Sequence, residues 1–507
     1  MHRREFLSAA ASAAAGAALP RTAKAAAAAL PHTAGASRRH PNVLMLMADQ
    51  HKRSCMGAAG DPVAITPNLD RLAAESVRFT SAYCTNPVCT PSRASLMTGL
   101  YSHNLESQNN SLPYAPSHRT IAHHFDQAGY FTGLIGKMHW VDAQSHGFEY
   151  RLEFNDWLQY LGPKAQIWAD ELGAPNSGSG LPEIESLWDS EGDPWKGHRA
   201  RDDRKGAVSN GRISELPEQD HFESFVARES IRFLKNYGVK NQHVSDQPFF
   251  LISSFLKPHD PFMPAKRFAD MFRPEDMHLP DSWGKADLNN IPLEVRRSIE
   301  RNGPTPEVSD PAMAKEHIAF YYANLAQMDD CLGQVVRAVY DLGLDRDTII
   351  CYTSDHGEML GDLGLWQKFQ FYEGSCGIPL LIRVPGREAA VCHAPVSLVS
   401  FSSTITELCG VRQLAPNNGV SFADLVRNPT STAPRGPIFA EYALGSRGAK
   451  AMIREDSLKY TYWAHDTPEL YDLASDPEEL HNLARDPAHA AAVDRLRDRL
   501  FAFHKPA

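Results

Sequence analysis

The sequence predicts an α/β protein: a large, mostly parallel, doubly wound sheet flanked by helices, followed by a small C-terminal antiparallel α+β subdomain. Three observations carry that expectation. Short, largely apolar runs, residues 43–48 (unbroken) and 249–255 among them, suit strands covered on both faces. Helical stretches separate these runs, so successive strands need crossovers and pair in parallel. From residue 436 the pattern changes to a hairpin, 451–454 and 458–463 around Glu455-Asp456-Ser457, and a closing helix at 490–503.

Taken in order, Pro41-Asn42 lead into the run 43–48, which stops at Asp49-Gln50. Thr66-Pro67-Asn68 reads as a helix start, and Leu69, Leu72, Ala73 and Val77 share its apolar face. Residues 118–128 read as a helix and 129–135 as a strand ending at Gly136-Lys137-Met138-His139. Residues 145–220 break the rhythm as an irregular insertion rich in Gly, Pro and Asn, carrying Trp157, Trp168, Trp188 and Trp195. A binding loop at the mouth of a site and a packed surface excursion account for it equally well. A helix at 222–234 precedes the strand 249–255, which ends at Lys257-Pro258-His259. A long helix at about 312–342, a strand at 348–353 ending at Asp355-His356, and a strand at 379–384 complete a large domain of residues 38–430. The small subdomain spans 436–507.

A chain of 507 residues, 43% hydrophobic and 22% charged, has the make-up of a globular protein with room for both units. The net charge of −10 argues against a nucleic-acid surface, and no apolar run in the body is long enough to span a membrane. The first 25 residues differ in kind. Arg3-Arg4 precede Phe6-Leu7 and an Ala-rich run, and Ala23-Lys24-Ala25 offers a cleavage site. This layout resembles a twin-arginine export signal, so the expected location is periplasmic or secreted. The 8 cysteines lack zinc-type paired spacing.

Four expected strands end in polar clusters: Asp49-Gln50, Lys137 with His139, Lys257 with His259, and Asp355-His356. Open α/β sheets bind ligands beyond the carboxyl ends of their strands, so these clusters belong on one rim. One cluster alone is weak, since an Asp after a strand is often only a helix cap. A fifth segment adds weight. Pro87 and Pro91 hold a loop open around Cys89, and residues 92–97 can form a helix behind it. Cys89 then sits before a helix N-terminus with Arg93 close by, a setting for an activated nucleophile or an anion. A buried structural cysteine, or half of a disulfide with Cys84, is the alternative.

Cys89-Thr90-Pro91-Ser92-Arg93, with Leu96-Met97-Thr98-Gly99 behind it, resembles the C-x-P-S-R…T-G signature of the type I, formylglycine-dependent sulfatases of the alkaline-phosphatase-like superfamily. The ending Leu470-Tyr471-Asp472-Leu473 with Asn482-Leu483 resembles that family's C-terminal subdomain. The resemblance implies hydrolysis of a sulfate ester, on a small molecule or a carbohydrate, to an alcohol and inorganic sulfate. It implies that a formylglycine-generating enzyme oxidises Cys89 and that the hydrated aldehyde is the nucleophile. It also implies a divalent metal on Asp49, Gln50, Asp355 and His356. That oxygen-rich set suits calcium ahead of magnesium or manganese.

By the same resemblance Lys137 and Lys368 hold the sulfate, and Arg93 orients the hydrated aldehyde. His139 takes the proton that releases sulfate, and His259 protonates the leaving alcohol. Asn110 (Asn109 is equally well spaced) and Lys257 are candidate substrate contacts, and Lys257 fits a salt-bridged structural role as well. Many members carry a second Asp and an Asn where Gln50 and His356 stand, a departure shared with the branch of choline sulfatases, iduronate-2-sulfatase and phosphonate monoester hydrolases. A phosphonate or phosphate ester hydrolase on the same scaffold is the first rival. Related phosphonate hydrolases put uncharged hydroxyls where Lys137 and His139 stand, so both residues favour sulfate. A non-catalytic protein binding sulfated glycans is the second rival, and the filled catalytic positions argue against it.

Overall fold

The computed structural model describes residues 40–105, 107, 110, 117–138, 144–172, 211–243, 247–300, 310–413, 417–433 and 435–505. The expected export signal, Asn109, His139, Trp188 and Trp195 lie outside the described residues.

The main sheet is built around β1 (Asn42–Asp49), in which all eight residues are buried. Its alternation explains why. Leu44, Leu46 and Ala48 face a core shared with the helix Pro311–Asp341, while Val43, Met45 and Met47 face a second core with Ile121, Phe125, Phe401 and Ile405. A strand covered on both faces has no polar side, and each fully buried aliphatic side chain contributes about 1.5–3 kcal/mol. β1 pairs in parallel with β5 (Phe249–Pro258) on one side and β6 (Thr348–Ser354) on the other. β3 (Phe131–Gly136) lies beyond β5, and β4 (Tyr150–Leu152) beyond β3.

On the far side, β7 (Gly377–Arg383) runs antiparallel to β6 and to β2 (Val77–Tyr83); β8 (Ala390–Cys392) and β9 (Val396–Ser397) follow β2 in parallel. Register puts Ala48 beside Ser354, Asp49 beside Pro258, and Gly136 beside Ser254. The ends of β3, β5, β1 and β6 therefore form one rim. Gly136 closes β3 at φ 110, where a Cβ would lie 1.8 Å from the Ser254 carbonyl oxygen. Only glycine makes that turn, and it delivers Lys137 to the rim.

The small sheet, β10 (Ile438–Tyr442), β11 (Lys450–Glu455), β12 (Leu458–Trp463) and β13 (Glu469–Asp472), is antiparallel throughout. The closing helix Ala490–Phe503 lays Leu496 and Leu500 on it.

Three expectations change. Val77 is not the last apolar position of a helix: the helix is Pro67–Ala73, the Ser76 hydroxyl donates to the Leu72 carbonyl, and Val77 begins β2. An i+4 apolar spacing cannot tell a third helical turn from the first residue of a buried strand. Part of the insertion is regular, with helices at Phe154–Leu161 and Ala165–Leu172. Trp157 and Trp168 meet edge-on at 5.2 Å inside the core, so for these two the packed reading holds. The helix begun at Phe222 runs to His243, beyond the expected 234.

Candidate active site

Cys89 is the first residue of the helix Cys89–Thr98, not the residue before it, and Val88 is the N-cap in an extended conformation. Pro91 falls in the first turn, where a missing N–H breaks no intrahelical bond, so the helix starts two residues before the proline rather than after it. Gly99 ends it at φ 73. Every residue of this helix is buried. Cys89 forms no disulfide with Cys84, and all eight cysteines are unbridged.

Arg93 organises the carboxylates. Its Nη2 donates to Asp49 Oδ2 at 2.9 Å, its Nε to Asp355 Oδ2 at 2.7 Å, and its Nη1 to Ser254 Oγ at 3.0 Å. Lys137 Nζ also takes Asp49 Oδ2, at 2.7 Å. With the outer oxygens held, the inner ones turn toward residue 89. Asp49 Oδ1 lies 3.7 Å from Cys89 Sγ and 3.7 Å from His356 Nε2. Asp355 Oδ1 lies 3.7 Å from the same Nε2, which is 3.2 Å from Cys89 Sγ. Ligand atoms of Asp49, Cys89, Asp355 and His356 all fall within 4.8 Å of one another, and all four residues are buried.

This donor set fits a hard divalent cation. Two carboxylates point oxygens at one place, and the imidazole presents the right nitrogen: His356 Nδ1 is 2.9 Å from the Gly357 carbonyl, an acceptor, so Nδ1 holds the hydrogen and Nε2 keeps its lone pair. Gln50, at a left-handed φ of 65, places Oε1 3.0 Å from Lys368 Nζ. Burial and Cys89 push the Asp49 carboxyl up, and Lys137, His259 and Arg93 outweigh them, holding it well below the usual carboxylate range. Burial pulls Lys368 down, but Cys89 and the carboxylates around it hold its ammonium above the ordinary lysine value.

Lys368 Nζ lies 3.3 Å from Cys89 Sγ and 2.8 Å from His259 Nε2. His259 Nδ1 is 3.2 Å from Asp260 Oδ1 and close to the Asp260 carbonyl, so its hydrogen sits on Nδ1 and Nε2 faces the centre. Asn110 Oδ1 accepts the Thr90 N–H at 3.1 Å, one residue on from Cys89. Lys257 is placed elsewhere: its Nζ donates to the Met263 carbonyl at 3.0 Å and stands 4.0 Å from Glu223, the arrangement of a salt-bridged structural residue.

Sequence reasoning misses three residues at the centre. Ser254 hides inside an apolar strand. Asp260 and Glu358 stand next to assigned residues, in His259-Asp260 and in Asp355-His356-Gly357-Glu358, and that adjacency is the available signal. Burial pushes the Glu358 carboxyl up, against the N–H groups of Leu360 and Gln367.

Comparison with known proteins places this architecture among the alkaline-phosphatase-like hydrolases. A family model described as Sulfatase matches residues 41–411, and a second, N-sulphoglucosamine sulphohydrolase C-terminal, matches 361–505. The chain belongs to the sulfatase family and is a sulfuric ester hydrolase. A choline-sulfatase of Rhizobium meliloti is 32% identical over 86% of this chain and 81% of its own. An arylsulfatase of Clostridium perfringens is 29% identical over 90% and 93%. Among solved structures, a phosphonate monoester hydrolase of Agrobacterium radiobacter superposes with a TM-score of 0.74 at 25% identity, covering 91% of this chain and 95% of that one. A protein solved with D-glucosamine-2-N,6-O-disulfate as its substrate has a TM-score of 0.68 at 22% identity over 92% and 98%, a likeness of fold.

Proposed function

We propose that this sulfatase acts through a formylglycine made from Cys89 and a calcium ion held by Asp49, Gln50, Asp355 and His356, on sulfate esters of small alcohols, phenols or sugars. The observation that carries the reading is the convergence of Cys89 Sγ with two carboxylates and an imidazole, within 3.3 Å of the Lys368 ammonium. When bound, the cation supplies a Lewis acid for a sulfate oxygen and lowers the pKa of a hydroxyl at residue 89. The aldehyde supplies a hydrated form with two hydroxyls, one to attack and one to drive release.

The remaining work belongs to the chain. Lys368 and Lys137 neutralise charge on the sulfate as the ester bond breaks. His259, held through Nδ1 by Asp260, acts as the imidazolium: once Nε2 has taken up a proton from solvent, it passes that proton to the departing oxygen and returns to the neutral Nδ1–H form. Arg93 keeps Asp49 and Asp355 turned inward. His139 is assigned the sulfate-releasing proton transfer from sequence alone. Similarity to a choline-sulfatase and an arylsulfatase supports small sulfate esters. The Arg3-Arg4 signal supports periplasmic or secreted location, which an Arg3→Lys/Arg4→Lys variant held in the cytoplasm would bear out.

The test has two arms. Peptide mass spectrometry of protein made with a formylglycine-generating enzyme should find an aldehyde at residue 89. That protein should cleave an aryl sulfate faster than an aryl phosphonate monoester. Chelation should abolish turnover, and calcium should restore it better than magnesium or manganese. An unmodified thiol in fully active protein would overturn the reading, and preference for the phosphonate would move it to the rival activity of its structural neighbour.

A further inference from the structure

Gln50 is the amide of the donor set, and its chemistry depends on which way it faces, because an amide offers an oxygen on one side and two N–H groups on the other. Three neighbours set that choice. Lys368 Nζ, which can only donate, lies 3.0 Å from Oε1. Glu358 Oε2 lies 2.6 Å from Nε2, and Asp260 Oδ1 lies 3.3 Å from it. A reversed amide would set its oxygen against two carboxyl groups and its NH2 against an ammonium.

Glu358 is itself held by the backbone around it. It is fully buried, and its Oε1 accepts the N–H of Leu360 at 2.9 Å and of Gln367 at 2.5 Å. Gln367 immediately precedes Lys368 and also has a left-handed φ, of 64. One carboxylate thus joins the amide of Gln50 to the loop that carries Lys368.

We infer that Glu358 is a positioning residue: it holds Gln50 with its oxygen toward the cation site and fixes the Lys368 loop beside it. This rests on the reading that a divalent cation occupies the cluster of Asp49, Asp355 and His356.

Calorimetric titration of chelator-treated protein with calcium chloride tests it, with thermal melting of the metal-free proteins as the fold control. In Glu358→Gln the new side chain keeps its oxygen on the two backbone N–H groups and turns an NH2 toward Gln50. The Gln50 amide then reverses, and calcium affinity falls by on the order of 10–100-fold. Gln50→Leu loses affinity to a similar degree. The double variant Gln50→Glu/Glu358→Gln recovers most of the loss, because the carboxylate introduced at position 50 accepts from the amide introduced at position 358 and still presents an oxygen to the ion. Unchanged affinity in Glu358→Gln overturns the inference, as does a double variant no tighter than Gln50→Leu. Should Glu358→Gln fail to fold, Gln50→Leu against the parent and against the double variant decides alone. Asp49→Asn separates the two levels: if it binds calcium as the parent does, the cation reading itself falls. If it loses binding while Glu358→Gln does not, only this inference falls.

Discussion

Two of the buried charge networks among the described residues follow opposite plans. Where the small sheet meets the large one, Lys459 is shared between Glu373 at 2.7 Å and Glu479 at 2.5 Å, and Arg53 takes Glu373 at 2.6 Å. The Tyr83 hydroxyl donates to Glu373 as well, at 2.9 Å. Each strong charge there is aimed at its opposite. At the rim, Arg93 and Lys137 take only the outer oxygens of Asp49 and Asp355, while the inner oxygens are aimed at one another, at Cys89 and at His356. Pairs of opposite charge cement two elements together. Converging donors of like sign cost free energy unless they hold a ligand, so convergence marks function where burial alone does not.

The sharpest break of that comparison comes from Cys89. Cys89→Ala should lower sulfate release by several orders of magnitude while changing stability by only about 1 kcal/mol, measured by urea unfolding. Next is His259→Asn. Loss of a general acid should cost about 10²–10⁴ in rate on an alkyl sulfate and far less on nitrophenyl sulfate, whose leaving group needs no proton. Equal losses on both would remove His259 from that role.

Arg93→Met and Lys459→Met set the two networks side by side. Each strands buried carboxylates and should cost about 3–5 kcal/mol of stability. Only Arg93→Met should lower kcat per folded molecule, and a matching fall in Lys459→Met would erase the distinction drawn here. The smallest effect is in pH. Burial pushes Glu479 up to about 7, against the pull of Lys459, while an exposed glutamate titrates near 4.5. The folded state therefore keeps this proton across a window in which the unfolded chain has released it. Stability falls as pH rises from about 4.5 to about 7. Glu479→Gln should flatten that decline in melting temperature. Glu373, in which Lys459 and Arg53 outweigh burial, has the opposite sign: its contribution is lost as pH falls below the usual glutamate range.

Much of this is legible without coordinates. The runs at β1, β5 and β6 read as buried strands because largely apolar stretches of seven to ten residues are too short for most helices and show no polar face. The closing helix reads as 490–503 from its sequence and occupies those residues. The start of β2 escapes such reading because its first residue continues the helix spacing of Leu69 and Leu72, and the reversal of β7 leaves no mark in a run of seven residues. Ser254 acts through Arg93, 161 positions away, and Asp260 through Gln50, 210 positions away, and the adjacent His259, so spacing cannot rank them. Lys257 carries the same local signal as His259, two residues on, yet faces Glu223 and not the centre.

The chain's own order determined most of the elements, the short motif at Cys89 and the family, because periodicity, proline placement and a rigid short motif are local properties. Tertiary structure alone decided which oxygens face inward, which lysine reaches residue 89 and which way an amide points. Those outcomes depend on the register of β3, β5, β1 and β6 and on contacts between residues as far apart as Gln50 and Lys368, and no local pattern encodes them.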